Sequence, residues 1–230
     1  MKLFKSNLIR LTRPPLPAQI KDDPIHVRIR DVHKSYGDQH VLKGVSLDIH
    51  RGKTNLIIGP SGSGKTVLMR QLIRLERPDS GQLLVNGLDF ARLEGLDLAS
   101  MRRTFGMVFQ MSALFDSMPV FDNVAFPLRE HTDLPRKEVR ERVMDKLAAL
   151  GVAAAAEKLP AQLSGGMQKR VAVARAMILV SGMVIDGEPT TGREPITSGM
   201  GGGLIVVAEE VLGVTSIVFS RDVASGGRVA

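Results

Sequence analysis

The chain contains no cysteine. That excludes a disulfide scaffold and any thiolate metal site, and it fits a reducing compartment. No apolar run approaches the roughly 20 residues needed to cross a bilayer; the longest stretch, residues 204–214, is interrupted by Glu209 and Glu210. The first 12 residues carry Lys2, Lys5 and Arg10 but no apolar stretch of signal-peptide length. The expected location is therefore the cytosol. Tyrosine occurs once, at Tyr36.

What is present is ordinary for a globular chain: 230 residues, 43% hydrophobic, 24% charged, with mean hydropathy near zero. Disorder and membrane embedding are both disfavoured, and one folding unit is expected. An excess of seven positive charges suits anionic lipid headgroups, nucleic acid or nucleotide phosphates, and equally a solvated basic surface.

Residues 1–24 read as a basic tail punctuated by Pro14 and Pro15. Alternation in His26-Val27-Arg28-Ile29-Arg30 and over residues 41–49 predicts two strands that form a β layer before the main sheet. Leu56-Ile57-Ile58 reads as a short buried strand, and residues 66–75 as a helix with Val67, Leu68, Leu72 and Leu75 on related faces. Asn86-Gly87 ends a further strand in a tight hairpin turn. The region of about 111–162 lacks strand signals and reads as a helical insert. Within it Thr132 or Asp133 caps a helix with Pro135 in its first turn, Val139, Val143, Leu147 and Leu150 form its apolar stripe, and Gly151 stops it. A helix over 166–179 and buried parallel strands at Met183-Val184-Ile185 and Ser216-Ile217-Val218-Phe219 complete an α/β pattern.

The chemistry begins at Gly59-Pro60-Ser61-Gly62-Ser63-Gly64-Lys65-Thr66. Glycines at 59, 62 and 64 let the backbone curl so that successive N–H groups converge, and the following helix adds its positive end. Lys65 then reaches the β- and γ-phosphates of ATP, and the Thr66 hydroxyl ligates Mg²⁺. A second glycine-rich helix start, Leu163-Ser164-Gly165-Gly166-Met167, has the same anion-binding physics or is simply a capped helix.

The phosphate loop, Gln110 after Met107-Val108-Phe109, and the Leu-Ser-Gly-Gly segment stand in the order found in ABC transporter ATPase subunits, and the resemblance covers residues ~25 to 222. It implies a P-loop NTPase fold over residues 25–230, with a RecA-like core, an antiparallel β layer and a helical subdomain. It also implies a head-to-tail dimer in which Ser164, Gly165 and Gly166 complete the second subunit's ATP site. Tyr36 lies where the family stacks an aromatic on adenine.

Ala113-Leu114-Phe115 and the run from Val120 to Thr132 resemble the ATPase of the phospholipid transporters that maintain outer-membrane lipid asymmetry. The resemblance implies a transmembrane permease and a Mce-type lipid-binding protein as partners, and a peripheral position on the cytoplasmic face of the inner membrane. His131 is expected to be a surface histidine. A nucleic-acid-associated ABC protein is the reading from another class; the chain has neither zinc modules nor paired ATPase domains, so no nucleic acid is expected.

After residue 185 the sequence leaves the family pattern. Aligned on Glu188-Pro189, Gly187 takes the place of the aspartate that holds the Mg²⁺ shell, and Asp186 stands one residue early. Strand side chains alternate, so Asp186 serves as a metal ligand only if a bulge at Gly187 restores the register. Glu188 is expected to orient the attacking water and Gln110 to sit at the metal. Glu194 replaces an aspartate, and Arg221 replaces the switch histidine; it cannot deprotonate at neutral pH but is still expected to pair with the γ-phosphate as a catalytic residue. Gly199, Gly201, Gly202 and Gly203 interrupt an expected helix, and the chain stops eight residues after Asp222, where the family continues. An incomplete C-terminal end fits a truncated copy or an impaired paralogue, and ATP is expected to bind but turn over slowly.

Overall fold

A computed structural model describes residues 23–109, 112–179, 182–187 and 214–220. Two four-stranded sheets organise the chain, one antiparallel in the order β2-β1-β4-β5 and one parallel in the order β3-β8-β7-β6.

β1 (Ile25–Tyr36) and β2 (Gln39–His50) form a long hairpin. Both outrun the strands expected from alternation alone, because the polar residues from His33 to Tyr36 are carried by ladder pairing rather than by a buried face. Val27 and Ile29 point inward at period two, and a register shift between Ile29 and Val32, with Asp31 at φ 49°, brings Val32 into the core as well. β4 (Ser80–Val85) pairs with β1 and turns into β5 (Leu88–Asp89) through Asn86 and Gly87, both at positive φ (50° and 74°) as a tight hairpin requires.

β3 (Thr54–Ile58), β6 (Phe105–Phe109), β7 (Met183–Gly187) and β8 (Thr215–Ser220) make the parallel sheet. Met183, Ile185, Ile217 and Phe219 pack beneath the antiparallel layer with Val27, Ile29, Leu83 and Phe90, and with Leu68 and Leu72 of α1 (Lys65–Leu72). The helix ends earlier than its periodicity suggests. Arg74 adopts φ 60°, and its guanidinium donates to the carbonyls of Phe90 and Ala91, so Leu75 is carried into solvent.

α2 (Gly95–Arg102) precedes β6. A second core joins α3 (Val120–His131), α4 (Arg136–Ala149) and α5 (Gly165–Met177). The stripe Val139, Val143, Leu147 and Leu150 is buried there, and Gly151 at φ 67° ends the α4 segment. Pro135 is the N-cap of α4 rather than a first-turn residue. Thr132 Oγ1 instead donates to Leu128 O at 2.6 Å, closing the end of α3. The two cores meet at β7, where Val184 faces the helices while Met183 and Ile185 face α1.

Candidate functional site

The loop between β3 and α1 leaves the parallel sheet where Gly59 N donates to Ser220 O at 3.1 Å. Gly64 caps α1 at φ 92°, and a Cβ there would lie 2.7 Å from Leu42 Cδ2. A Cβ at Gly59 would fall 2.6 Å from Ser63 Oγ and fill the hollow of the loop. At Gly64 the left-handed φ and the close approach together require glycine, whereas at Gly59 a Cβ would force the Ser63 hydroxyl to turn away. The first turn of α1 holds no acidic residue, so the partial positive charge of its N–H groups is not cancelled.

Lys65 is buried, and its Nζ donates to Gly59 O at 2.6 Å and Pro60 O at 2.8 Å. The ammonium therefore sits inside the loop formed by Gly59, Pro60, Ser61, Gly62 and Ser63, where a phosphate could exchange for these carbonyls. Thr66 is exposed in the first turn. A converging glycine loop, an uncompensated helix start and a buried lysine fit a polyphosphate. For the metal the fit is narrower: among the described residues no group of three or more histidine, aspartate or glutamate side chains could hold an ion, and the exposed Thr66 hydroxyl stands at the start of α1 beside the loop.

The β7 ladder decides where Asp186 goes. Val108 and Val218 pair with Asp186, Phe109 and Phe219 pair with Gly187, and the register runs through without a shift. Up to Gly187, the last described residue of β7, no bulge interrupts the ladder, and Asp186 keeps the plain alternation of the strand. Pleating puts Asp186 on the side of Val184, toward the helical core, and Gly187 on the side of α1. Burial raises the Asp186 carboxyl to about 6, opposed by the nearby Lys169 of α5.

Ser164 caps α5, its Oγ accepting from Met167 N at 3.4 Å. Ser164 and Gly165 are exposed, Gly166 is partly buried, and a Cβ at Gly165 would meet nothing within 4 Å. Their helix belongs to the helical core, whereas α1 belongs to the core between the sheets. Tyr36 ends β1 in the antiparallel layer and is 45% exposed. Gln110, Glu188, Glu194, Arg221 and the glycines at 199 and 201–203 lie outside the described residues, as does the tail before Asp23.

A groove of about 620 Å³ separates β6 and α2 from α3 and α5. Its lining includes Arg103, Phe115, Phe126, His131, Arg175 and Leu179. Phe115 meets Phe126 edge to face at 5.1 Å, and the Arg175 guanidinium lies 5.6 Å from the Phe115 ring centre. Buried Asn123 holds the Phe115 backbone with bonds of 2.8 and 3.1 Å. Arg103 and Arg175 come together only as lining of this groove, 72 residues apart in the chain, and no local pattern marks either of them. No helix among the described residues is long and apolar enough to cross a membrane.

The family model for ABC transporters matches residues 42–191. The intermembrane phospholipid transport system ATP-binding protein MlaF of Haemophilus influenzae is 41% identical over 86% of this chain and 75% of its own length. MlaF of Escherichia coli K12 is 43% identical over 86% and 73%. Among solved structures, the dimeric post-hydrolysis ATP-binding cassette MJ0796, bound to ADP and Pi, superposes with a TM-score of 0.71 at 29% identity, covering 89% of this chain and 91% of that one. With its α/β architecture, its phosphate loop and these relatives, the chain belongs to the ABC transporter ATP-binding family.

Proposed function

We propose that this chain is the ATP-binding subunit of a phospholipid-transporting ABC system, seated peripherally on the cytoplasmic face of the inner membrane through a permease. The observation that carries the reading is the Lys65 cradle in a chain 41% identical to an intermembrane phospholipid transport ATP-binding protein. Lys65 exchanges the Gly59 and Pro60 carbonyls for the β- and γ-phosphates, the backbone of residues 59–64 donates to the same oxygens, and Tyr36 carries the adenine. Thr66 is the side chain that would hold Mg²⁺, which would supply positive charge against the phosphates.

Ser164, Gly165 and Gly166 act on the nucleotide of a second ATPase subunit. Their place in a different core from Lys65, and the dimeric state of the related MJ0796 cassette, support a head-to-tail pair. The groove beside Phe115 and Phe126 receives a cytoplasmic segment of the permease, and a Mce-type lipid-binding protein completes the assembly. Turnover is slow. Glu188 orients water and Gln110 stands at the metal, but Asp186 faces the helices and Arg221 cannot alternate between charged and neutral forms.

The test is reconstitution with a permease of the intermembrane phospholipid system in proteoliposomes. ATP-dependent movement of a fluorescent phospholipid, lost in Lys65→Ala, is the expected result. A chain that neither co-purifies with the permease nor supports lipid movement would refute the assignment.

A further inference from the structure

The base platform and the phosphate cradle lie in different layers. Tyr36 ends a strand of the antiparallel sheet, whereas Lys65 opens a helix packed on the parallel sheet. One nucleotide has to touch both, so their separation has to be held. Tyr36 Oη donates to Glu76 Oε2. The other carboxylate oxygen of Glu76 accepts from Arg70 Nη1 at 3.0 Å. Arg70 belongs to the last turn of α1, five residues after Lys65, or about 7.5 Å along the axis of the same helix. Lys34, paired with Asp79 at 2.7 Å, lies over the Tyr36 ring 5.6 Å from its centre.

We propose that Glu76, anchored by Arg70, is a positioning residue for nucleotide binding that sets the Tyr36 ring at a defined distance from the Lys65 cradle. The proposal rests on the reading of Tyr36 as the adenine platform. Glu76 touches no part of the nucleotide; it removes the rotation that the ring would otherwise lose on binding. The same bond acts on both partners' protons: it raises the Tyr36 phenol above its ordinary value and lowers the Glu76 carboxyl.

Tyr36 is the only tyrosine in a chain without tryptophan, so tyrosine emission and phenol titration report on this residue alone. In the full chain, Glu76→Ala is expected to weaken ATP binding by calorimetry roughly threefold to tenfold, as freeing one immobilised side chain does. The phenol should then titrate nearer its ordinary value. Glu76→Gln keeps an acceptor and should retain most of the affinity, and Arg70→Ala should reproduce part of the loss. Tyr36→Phe combined with Glu76→Ala should cost no more than either change alone. If ATP alters Tyr36 emission but Glu76→Ala binds ATP as the wild type does, the positioning role is wrong and the platform stands. If Tyr36→Leu binds ATP unchanged, the platform reading fails and the positioning role fails with it.

Discussion

Asp186→Asn should stabilise the protein, and more so at higher pH. The Asp186 carboxyl holds its proton to about pH 6 when folded, against an ordinary 3.8, because burial opposes its charge and Lys169 offsets only part of that cost. The folded state therefore binds this proton more tightly than the unfolded chain does. Between pH 3.8 and about 6 the unfolded state ionises first, and stability falls as pH rises; above that window the loss is complete and persists. The gap between the two pKa values corresponds to roughly 3 kcal/mol at pH 7.5 and to about half of that at pH 5. Asparagine keeps the shape and cannot ionise, so its advantage should follow the same curve. By thermal unfolding the variant's Tm should rise by roughly 6–12 °C at pH 7.5 for a domain of this size, and by clearly less at pH 5. A variant that melts lower than the wild type at pH 7.5, or by an equal margin at both pH values, would show that Asp186 is ionised and satisfied, contrary to its place beside Val184.

Gly187→Asp puts a carboxylate on the α1 side of β7, and together with Arg221→His it should raise the ATP turnover of the assembled transporter; an unchanged rate in the double variant would remove the register of β7 as the cause of slow turnover. Leu147→Ala empties part of the helical core and should cost about 2–5 kcal/mol in urea unfolding, whereas a cost below 1 kcal/mol would mean that α4 is not packed as described. Arg103→Glu reverses charge in the groove between α2 and α3 and should weaken co-purification with the permease while leaving ATP affinity unchanged; normal co-purification would move the permease contact elsewhere. Ser164→Ala removes the α5 cap and should cost about 1 kcal/mol of stability, with a separate loss of ATP-dependent dimer formation by light scattering; intact dimerisation would detach Ser164 from the partner's nucleotide.

Local patterns carried much of the fold. The stripe from Val139 to Leu150 obeys helical spacing, Asn86-Gly87 announces its hairpin, and the eight residues from Gly59 to Thr66 specify a strand, a loop and a helix start at once. Alternation along β7 already limited the side of the sheet that Asp186 could face, and the ladder keeps that alternation up to Gly187. What could not be read locally depends on contacts made across the chain. α1 stops at Leu72 because Arg74 reaches the carbonyls of Phe90 and Ala91. Glu76 meets Tyr36 across 40 residues, and nothing near either residue hints at the other. The groove likewise exists only after Phe115, Phe126 and Arg175 are assembled from three segments.

The central claim is that the loop from Gly59 to Thr66, with Lys65 inside it, holds the phosphates of ATP. Equilibrium ATP binding by the wild-type chain and by Lys65→Ala tests it most directly, with melting temperatures compared alongside. Saturable binding by the wild type and at least a tenfold loss in the variant, about 1.4 kcal/mol or more, at nearly unchanged Tm, are the expected results. Equal ATP affinity in a folded Lys65→Ala protein would contradict it.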